Sequence, residues 1–593
     1  MTTMAPTTTG ITGGAWLLEE TAPGSVFTPE RLTDEHRLID QTAKEFVTNE
    51  ALPNHDQLET KDWDLARRLV SRAGELGLMG TDVPEAYGGV ELDKAASVVV
   101  ASRIGQSGAF GSTFGAHTGL AIIPLCCFGT DTQKDKYLGK LVSGEWVGAY
   151  CLSESGSGSD ALGAKTRATR QDDGSFVLSG EKMWITNGGF ADLFVVFAKV
   201  DGEQFTAFLV ERSFPGVSTG NEEHKMGLHG SSTTPVILQD VRVPAENVLG
   251  EVGRGHKVAF NTLNYGRLKL AVAASGGAAV AIGEAARYAV ERHQFGRPIA
   301  SFGAIKHKLG EMAVRAYAVE SMIFRTTGLL DTALGDHDPA DAGPLRNILE
   351  ELAVECAIVK VAGSEMIDYV VDENVQIHGG NGFVKDYPAE RHYRDARVNR
   401  IFEGTNEINR LLIPGTLIRR ATKGRLPLIA AAKQLQDEIL SPPVLTEPSD
   451  VPLGEQLRAV SAFKKTALLV LGLAMQRYGE KLRDEQEVLS WAADILIDTF
   501  AAESAVLRAL QAATEAPNTA ELQTDAACVY VSDAAARVES AARSALAAMA
   551  EGDTLRMHLA ALRRLLKVTP VNTVVMRRRL ADAVVDKAGY MLG

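Results

Sequence analysis

Cysteine is scarce in this chain, with five in 593 residues: Cys126, Cys127, Cys151, Cys356 and Cys528. They form no Cys-x-x-Cys pair and follow no regular spacing. That excludes a disulfide framework, gives no support to a structural zinc site, and leads us to expect a reducing compartment. Positive charge is short as well: 61 basic against 75 acidic residues leave a net charge of −14, which argues against nucleic-acid binding. No basic residue precedes Arg31, so neither the charged start of a secretory signal nor an Arg-rich transit peptide is read, and the expected location is cytoplasmic. An apolar run such as 467–475 is far short of the roughly 20 residues that span a bilayer.

What is present is ordinary globular composition, 45% hydrophobic and 23% charged, on a length that implies roughly three or four domains. Residues 1–26 read as a flexible, Thr/Gly-rich tail. From 27 to 149 the apolar spacing is helical, as in Leu38, Ala43 and Phe46, and in Leu65, Leu69, Ala73 and Leu76. Within it, 104–119 is unusually rich in small residues, including Gly105, Ser107, Gly108, Gly111, Ser112 and Gly115. Glycine disfavours a helix by up to about 1 kcal/mol each against Ala, so the space is needed either for close helix packing or for a ligand tunnel.

Over 150–254 the period shifts toward two, with β-branched and aromatic strands expected at 176–178, 193–197, 205–210 and 236–238, the first after the turn Asp172-Asp173-Gly174. Helical periodicity resumes over 255–420. Pro442, Pro443, Pro448 and Pro452 mark a linker within 421–453, and an Ala-rich helical extension fills 454–593. The predicted class is α+β and mainly helical. It comprises an N-terminal helical domain, a small central antiparallel β domain, a four-helix domain and an extra C-terminal helical domain.

Three stretches can carry chemistry. Ile401-Phe402-Glu403-Gly404-Thr405 lies between two helical runs. A carboxylate beside apolar groups loses hydration, which raises its pKa and suits a general base. The competing reading is an acid that favours the positive end of the next helix, which Thr405 would cap. A second stretch, 151–160, contains a Gly-x-Gly-x-x-Ala match at Gly156, Gly158 and Ala161. A dinucleotide-binding fold would need a hydrophobic helix next, but polar residues lead into a hairpin instead. Its amides and serine hydroxyls remain suited to a phosphate or a polar flavin edge. The third, Gln376-Ile377-His378-Gly379-Gly380-Asn381-Gly382-Phe383, is a glycine-rich break between helices.

In combination these stretches resemble the acyl-CoA dehydrogenase family. Residues 151–163 fit one family signature and 376–395 a second, with Gln376, Gly379, Gly380, Gly382, Asp386, Arg391 and Asp395 in register. The resemblance runs through Trp184-Ile185-Thr186 and Arg292-His293-Gln294-Phe295-Gly296 and covers about 35–420. The extension, together with Met226 to Ser231 and Leu263 to Arg267, is similar to the very-long-chain branch.

The resemblance implies an FAD enzyme that introduces a trans double bond between the α and β carbons of an acyl-CoA in fatty acid β-oxidation. Glu403 would take the α proton while the β hydrogen leaves as hydride to flavin N5. Its own amide would hydrogen-bond the thioester oxygen. Some relatives carry the base just before the helix arginine, where this chain has Gly266 before Arg267. Cofactor contacts carried over are Tyr150, Cys151, Leu152, Ser153, Ser159, Trp184, Ile185, Thr186, Arg292, Phe295, Gln376, Ile377, His378, Gly379, Gly380, Thr405, Asn406 and Glu407. Substrate contacts are Ser159, Asn264, Tyr265, Arg267, Phe402 and Gly404.

A homodimer is implied because flavin contacts cross a subunit boundary, and electron-transferring flavoprotein is the implied acceptor. Lys306 stands where relatives often place Gln. Small residues along the tunnel favour long or very long acyl groups. The basic clusters at Arg563, Arg564 and Lys567 and at Arg577, Arg578 and Arg579 read as solvated faces rather than a membrane surface. An acyl-CoA oxidase passing electrons to oxygen, and a catalytically silent scaffold of the same fold, are the alternatives.

Overall fold

The computed structural model describes residues 10–339, 341–441 and 451–592. Seven helices come first: α1 (Asp34–Phe46), α2 (His55–Glu59), α3 (Trp63–Glu75), α4 (Lys94–Ile104), α5 (Gly108–Gly115), α6 (Ile123–Phe128) and α7 (Asp131–Val142). A wider π turn, Ala116–Ile122, joins α5 to α6. Thr33, Asp62, Asp93 and Thr130 cap α1, α3, α4 and α7 by accepting from first-turn amides.

The strands are β1 (Gly148–Cys151), β2 (Arg167–Arg170), β3 (Phe176–Thr186), β4 (Leu193–Val200), β5 (Gln204–Glu211), β6 (Val217–Thr219), β7 (Thr233–Val243) and β8 (Val248–Leu249). They form one sheet in the order β6-β7-β3-β2-β4-β5-β8, with β1 added on β4. The turn expected at Gly174 is present, with φ of 84°. Most pairings are antiparallel, but β1 and β2 both run parallel to β4. Short-range alternation reveals strands, not the direction in which distant ones pair.

Next come α8 (Gly255–Glu291), the hairpin β9 (His293–Gln294) and β10 (Arg297–Pro298), α9 (Gly303–Leu334), α10 (Ala342–Glu351), α11 (Ala353–His378), α12 (Ala389–Ala396) and α13 (Asn406–Thr422). The extension adds α14 (Leu428–Leu440), α15 (Gly454–Tyr478), α16 (Gln486–Glu515), α17 (Ala520–Met549), α18 (Gly552–Leu565) and α19 (Thr573–Lys587). Helix α14 occupies part of the expected linker. Pro442, Pro443 and Pro448 lie outside the described residues.

The expected tail is a correction. Gly13 and Gly14 donate backbone N–H groups to Glu351 and Glu355, 2.9 and 2.7 Å, and Trp16 Nε1 reaches Glu355 at 3.1 Å. Trp16 and Leu17 are buried in the core shared by the helical domain and the extension, and Trp16 packs on Phe500 with ring centroids 4.9 Å apart. Thr/Gly-rich sequence looks mobile when its partners lie more than 300 residues away.

The extension is welded to the older helices. Arg508, fully buried, binds Glu30 at 2.7 Å and Glu320 at 2.7 Å, and it also reaches the Leu592 carbonyl. Of the basic clusters only Arg577 is buried, pairing with Glu311 and Asp533; Arg563, Lys567, Arg578 and Arg579 are exposed, Arg579 pairing with Asp525, and half-buried Arg564 donates to the carbonyls of Ile439 and Ser441. Residues Gly108–Phe128 and Gly255–Glu291 are long and apolar enough to cross a bilayer, but 72% and 61% of their apolar windows are buried in the protein, as core helices are.

Arg508→Leu should cost about 3–5 kcal/mol, since it strands two buried carboxylates. Tyr590→Phe, which removes one 3.0 Å bond to Glu320, should cost only about 1 kcal/mol. Thermal and denaturant melts would rank the two.

Candidate active site

Glu403 sits at the junction of two spaces. One is a cavity of about 210 Å³ walled by α5, α8, α11 and α12, and the other is a cleft of about 1740 Å³ between the sheet and the helices. Thr186, Leu228, Phe402 and Glu403 line both. The carboxylate is half-buried, and its Oε2 is buried with no hydrogen-bond partner among the described residues. Burial pushes its pKa up to about 7, against the pull of Arg267 and Lys360.

Its backbone is unusual. Glu403 has φ of 58° and Gly404 of 80°, a left-handed pair that a non-glycine residue holds only when its surroundings enforce it. Three side chains do so through carbonyls. Arg267 Nε donates to Glu403 O at 3.2 Å, Lys360 Nζ to Gly404 O at 2.8 Å, and Asn409 Nδ2 to Gly404 O at 2.8 Å and Thr405 O at 3.1 Å. Thr405 caps α13, its hydroxyl accepting from Ile408 N–H at 3.3 Å. The N–H groups of Ile401 and Phe402 bond Val398 O, whereas that of Glu403 has no backbone acceptor among the described residues. It is therefore available to a ligand.

Gly266 completes the fit. A Cβ there would stand 2.8 Å from Glu403 Oε2, so a side chain at 266 would push the carboxylate out of its present position.

The glycine-rich run serves both purposes expected of it, residue by residue. A Cβ on Gly105 would strike Ala273 at 2.5 Å, and one on Gly276 would strike Ser102 O at 1.9 Å; these are close-packing positions. Gly115 and Gly119 have nothing within 4 Å and line the cavity.

On the sheet side of the cleft stand Tyr150, Leu152, Ser153, Ser159, Trp184, Ile185 and Thr186, and across from them Asn264, Arg267, Phe402, Gly404 and Thr405. Trp184 is 56% exposed into it with φ of 58°, a flat aromatic face held out by the sheet instead of packed within it. Cys151 does not reach the cleft with its side chain, which is buried in the sheet core.

Three expected residues point elsewhere. Tyr265 is fully buried, its hydroxyl donating to Asp82 at 2.9 Å. Neighbours on a helix face different ways, while Asn264 and Arg267, three apart, share a face and bond each other at 2.8 Å. Asn406 turns inward to Lys360, Ser364 and Glu365. Glu407 lies exposed on the first turn of α13 without lining the cleft.

Arg292, Phe295, Gln376, Ile377, His378, Gly379 and Gly380 gather at the far end of α8 and α11. Arg292 is 26 residues beyond Gly266, roughly 39 Å along a helix rising about 1.5 Å per residue. Phe295 is 92% exposed, and Gly379 and Gly380 have open space around them. His378 stacks on Tyr288, with centroids 4.1 Å apart. Lys306 pairs with Asp582 of α19, so the extension engages this departure. Sequence reasoning missed Lys360 and Asn409; the signal for Lys360 was a single lysine in the apolar run 356–363.

Four family models match in order: acyl-CoA dehydrogenase N-terminal domain at 33–145, middle domain at 149–241, C-terminal domain at 253–417, and a further acyl-CoA dehydrogenase C-terminal domain at 462–564. A probable acyl-CoA dehydrogenase of Bacillus subtilis is 47% identical over 583 residues, spanning 98% of both chains. The human mitochondrial very long-chain specific acyl-CoA dehydrogenase is 37% identical over 78% of this chain and 73% of its own. A crystal structure of an acyl-CoA dehydrogenase complexed with FAD from Bacillus anthracis is 46% identical and superposes with a TM-score of 0.96, covering 98% of this chain and 100% of that one. With the extension matched as well as the three preceding domains, the chain belongs to the acyl-CoA dehydrogenase family.

Proposed function

We propose that the chain catalyses FAD-dependent α,β-dehydrogenation of long- or very-long-chain acyl-CoA thioesters to trans-2-enoyl-CoA in fatty acid β-oxidation, with Glu403 as the proton acceptor. The observation that carries this is the position of Glu403, a carboxylate at the junction of two mainly apolar spaces, the large cleft and the smaller cavity. An α proton beside a thioester is a weak acid, and a base whose own pKa has risen to about 7 is better matched to it than an exposed carboxylate.

The cleft fits a flavin by its donor set. The exposed Trp184 face offers stacking, the hydroxyls of Ser153, Ser159 and Thr186 offer donors, and Gly158 leaves room within 4 Å. FAD bound there would supply the two-electron acceptor for the β hydrogen. The Glu403 carboxylate, whose Oε2 has no hydrogen-bond partner among the described residues, lines the space where an acyl-CoA would place its α carbon. The Glu403 N–H is free to donate to the thioester oxygen as negative charge develops on it. Phe402 and Leu228 line the junction with apolar surface.

Chain length follows from α8. Its residues Gly266, Leu270, Ala273, Gly277 and Val280 all line the cavity, and 14 residues of helix extend about 21 Å. An extended chain gains about 1.2 Å per backbone bond, so this wall can run alongside about 17 carbons, of which the cavity of about 210 Å³ encloses a part.

Arg292, Phe295 and Gln376 to Gly380 lie too far along α8 to complete the same cleft. A homodimer resolves this, with each flavin taking its ring contacts from one protomer and its pyrophosphate and adenosine contacts from the partner. Electron-transferring flavoprotein is the proposed acceptor, on family resemblance.

Mixing flavin-loaded protein anaerobically with saturated acyl-CoAs should bleach the flavin most effectively near sixteen carbons, and Glu403→Gln should abolish bleaching; a loaded wild type that bleaches with no chain length would defeat the reading. The rate of bleaching should rise through about pH 7 as Glu403 loses its proton. Because the folded-state pKa of Glu403 is raised from 4.5 to about 7, burying the carboxylate costs stability progressively as pH rises between those values and in full above them, so Glu403→Gln should melt higher than wild type at pH 8 and equally at pH 4. Gly277→Leu, filling the cavity 11 residues from Gly266, should lower kcat/KM for sixteen carbons about 10-fold or more while sparing eight; an unchanged profile would remove α8 as the ruler.

A further inference from the structure

Lys360 lies on α11, wholly buried, in a place that is poor for a cation on two counts. Burial strips its hydration, and the group sits against the N-terminus of α13, where the helix dipole favours anions. Its ammonium donates to Gly404 O at 2.8 Å and to Asn406 Oδ1 at 2.7 Å. Asn406 is in turn fixed by Ser364 and Glu365, each at 3.0 Å. Neutral donors would satisfy both acceptors without the charge, so hydrogen bonding alone does not account for a lysine. What accounts for it is the carboxylate next door.

The charged groups acting on Lys360 are Glu403, Arg267, Glu365 and Glu407. Those acting on Glu403 are Arg267 and Lys360, and Tyr150 faces it across the cleft. The two cations approach the Glu403–Gly404 step from different helices, Arg267 from α8 and Lys360 from α11, and each holds a different carbonyl of it.

We propose that Lys360 is a positioning residue for the proton-abstracting carboxylate of Glu403: it holds the left-handed Glu403–Gly404 step through the Gly404 carbonyl and, with Arg267, supplies the positive charge that lets a carboxylate persist in the closed cavity. The inference rests on the dehydrogenase reading. It does not place Lys360 in contact with substrate or flavin. Burial holds the Lys360 pKa down to about 8, so the ammonium is charged at neutral pH. Its removal would leave Arg267 alone to oppose the upward push of burial on Glu403.

The test is anaerobic flavin reduction by a saturated sixteen-carbon acyl-CoA, followed from pH 6 to 9 in flavin-loaded wild type, Lys360→Met, Lys360→Gln and Lys360→Arg. Wild type should show a rising limb near pH 7. In Lys360→Met the limb should move to higher pH, and the limiting rate should fall about 10- to 100-fold, as for a misplaced catalytic group, with acyl-CoA affinity unchanged. Lys360→Arg, which keeps the charge, should restore the limb and most of the rate.

A Met variant with the wild-type limb and rate would overturn the proposal. If that variant does not fold or hold flavin, Lys360→Gln decides, since it keeps a donor and loses the charge: a limb moved upward supports the inference and an unmoved limb defeats it. Wild type failing to bleach would sink the dehydrogenase reading and this inference together, whereas a bleaching wild type with indifferent variants sinks this one alone.

Discussion

A carboxylate kept out of water is the constraint on which this structure turns. For the proton abstraction proposed for Glu403 the carboxylate must be desolvated to be strong enough, yet an isolated buried anion costs several kcal/mol. The chain meets both demands at one step of backbone. Glu403 and Gly404 adopt left-handed φ values of 58° and 80°. Arg267, Lys360 and Asn409 hold the resulting carbonyls. Because two of these three carry charge, the groups that fix the geometry also moderate the electrostatics, and the pKa settles near 7 instead of climbing further.

That constraint propagates into packing. A void lies beside the carboxylate where Gly266 has no side chain, and it continues as an apolar cavity faced by small residues. Voids weaken a core because their walls lose partners on one side. The compensation is visible one residue away: Gly105 and Gly276 bring α4 and α8 into contact too close for any side chain, so the walls of the channel are tightly joined behind it. Long helices suit this task. In α8 the face lining the cavity and the face buried in the core are set by one period, and a wall of about 21 Å needs no loop to interrupt it.

Much of the architecture was legible because it depends on local pattern. The strands announced themselves by alternation and the Gly174 turn, α8 and the extension helices by apolar spacing, and Glu403 by an acid set among Ile401, Phe402 and Gly404. What stayed hidden depends on partners distant in sequence. The segment around Trp16 looked like a tail because Glu351, Glu355 and Phe500 order it only in three dimensions. Tyr265 looked like a substrate contact because it sits between Asn264 and Arg267, although one helical step turns it to Asp82. The glycine-rich run was ambiguous in principle, since a missing side chain reads the same whether it admits a helix or a ligand.

The extension answers a different physical need. The core helices α9, α11 and α13 each present a second apolar face away from the sheet, and an uncovered face of that size would aggregate or recruit a partner. Helices α16, α17 and α19 cover α9, and α16 covers α13, from within the same chain, with α15 packed behind them in one continuous core. Their polar seams are specific: Arg410 bridges Glu365 on α11 to Asp494 on α16, and Arg325 joins Glu503. Glu365 also receives Asn406, the side chain that Lys360 holds. A line of bonded groups therefore runs from the extension through Arg410, Glu365, Asn406 and Lys360 to the Gly404 carbonyl. The added helices are thus joined by hydrogen bonds and ion pairs to the backbone step that carries Glu403.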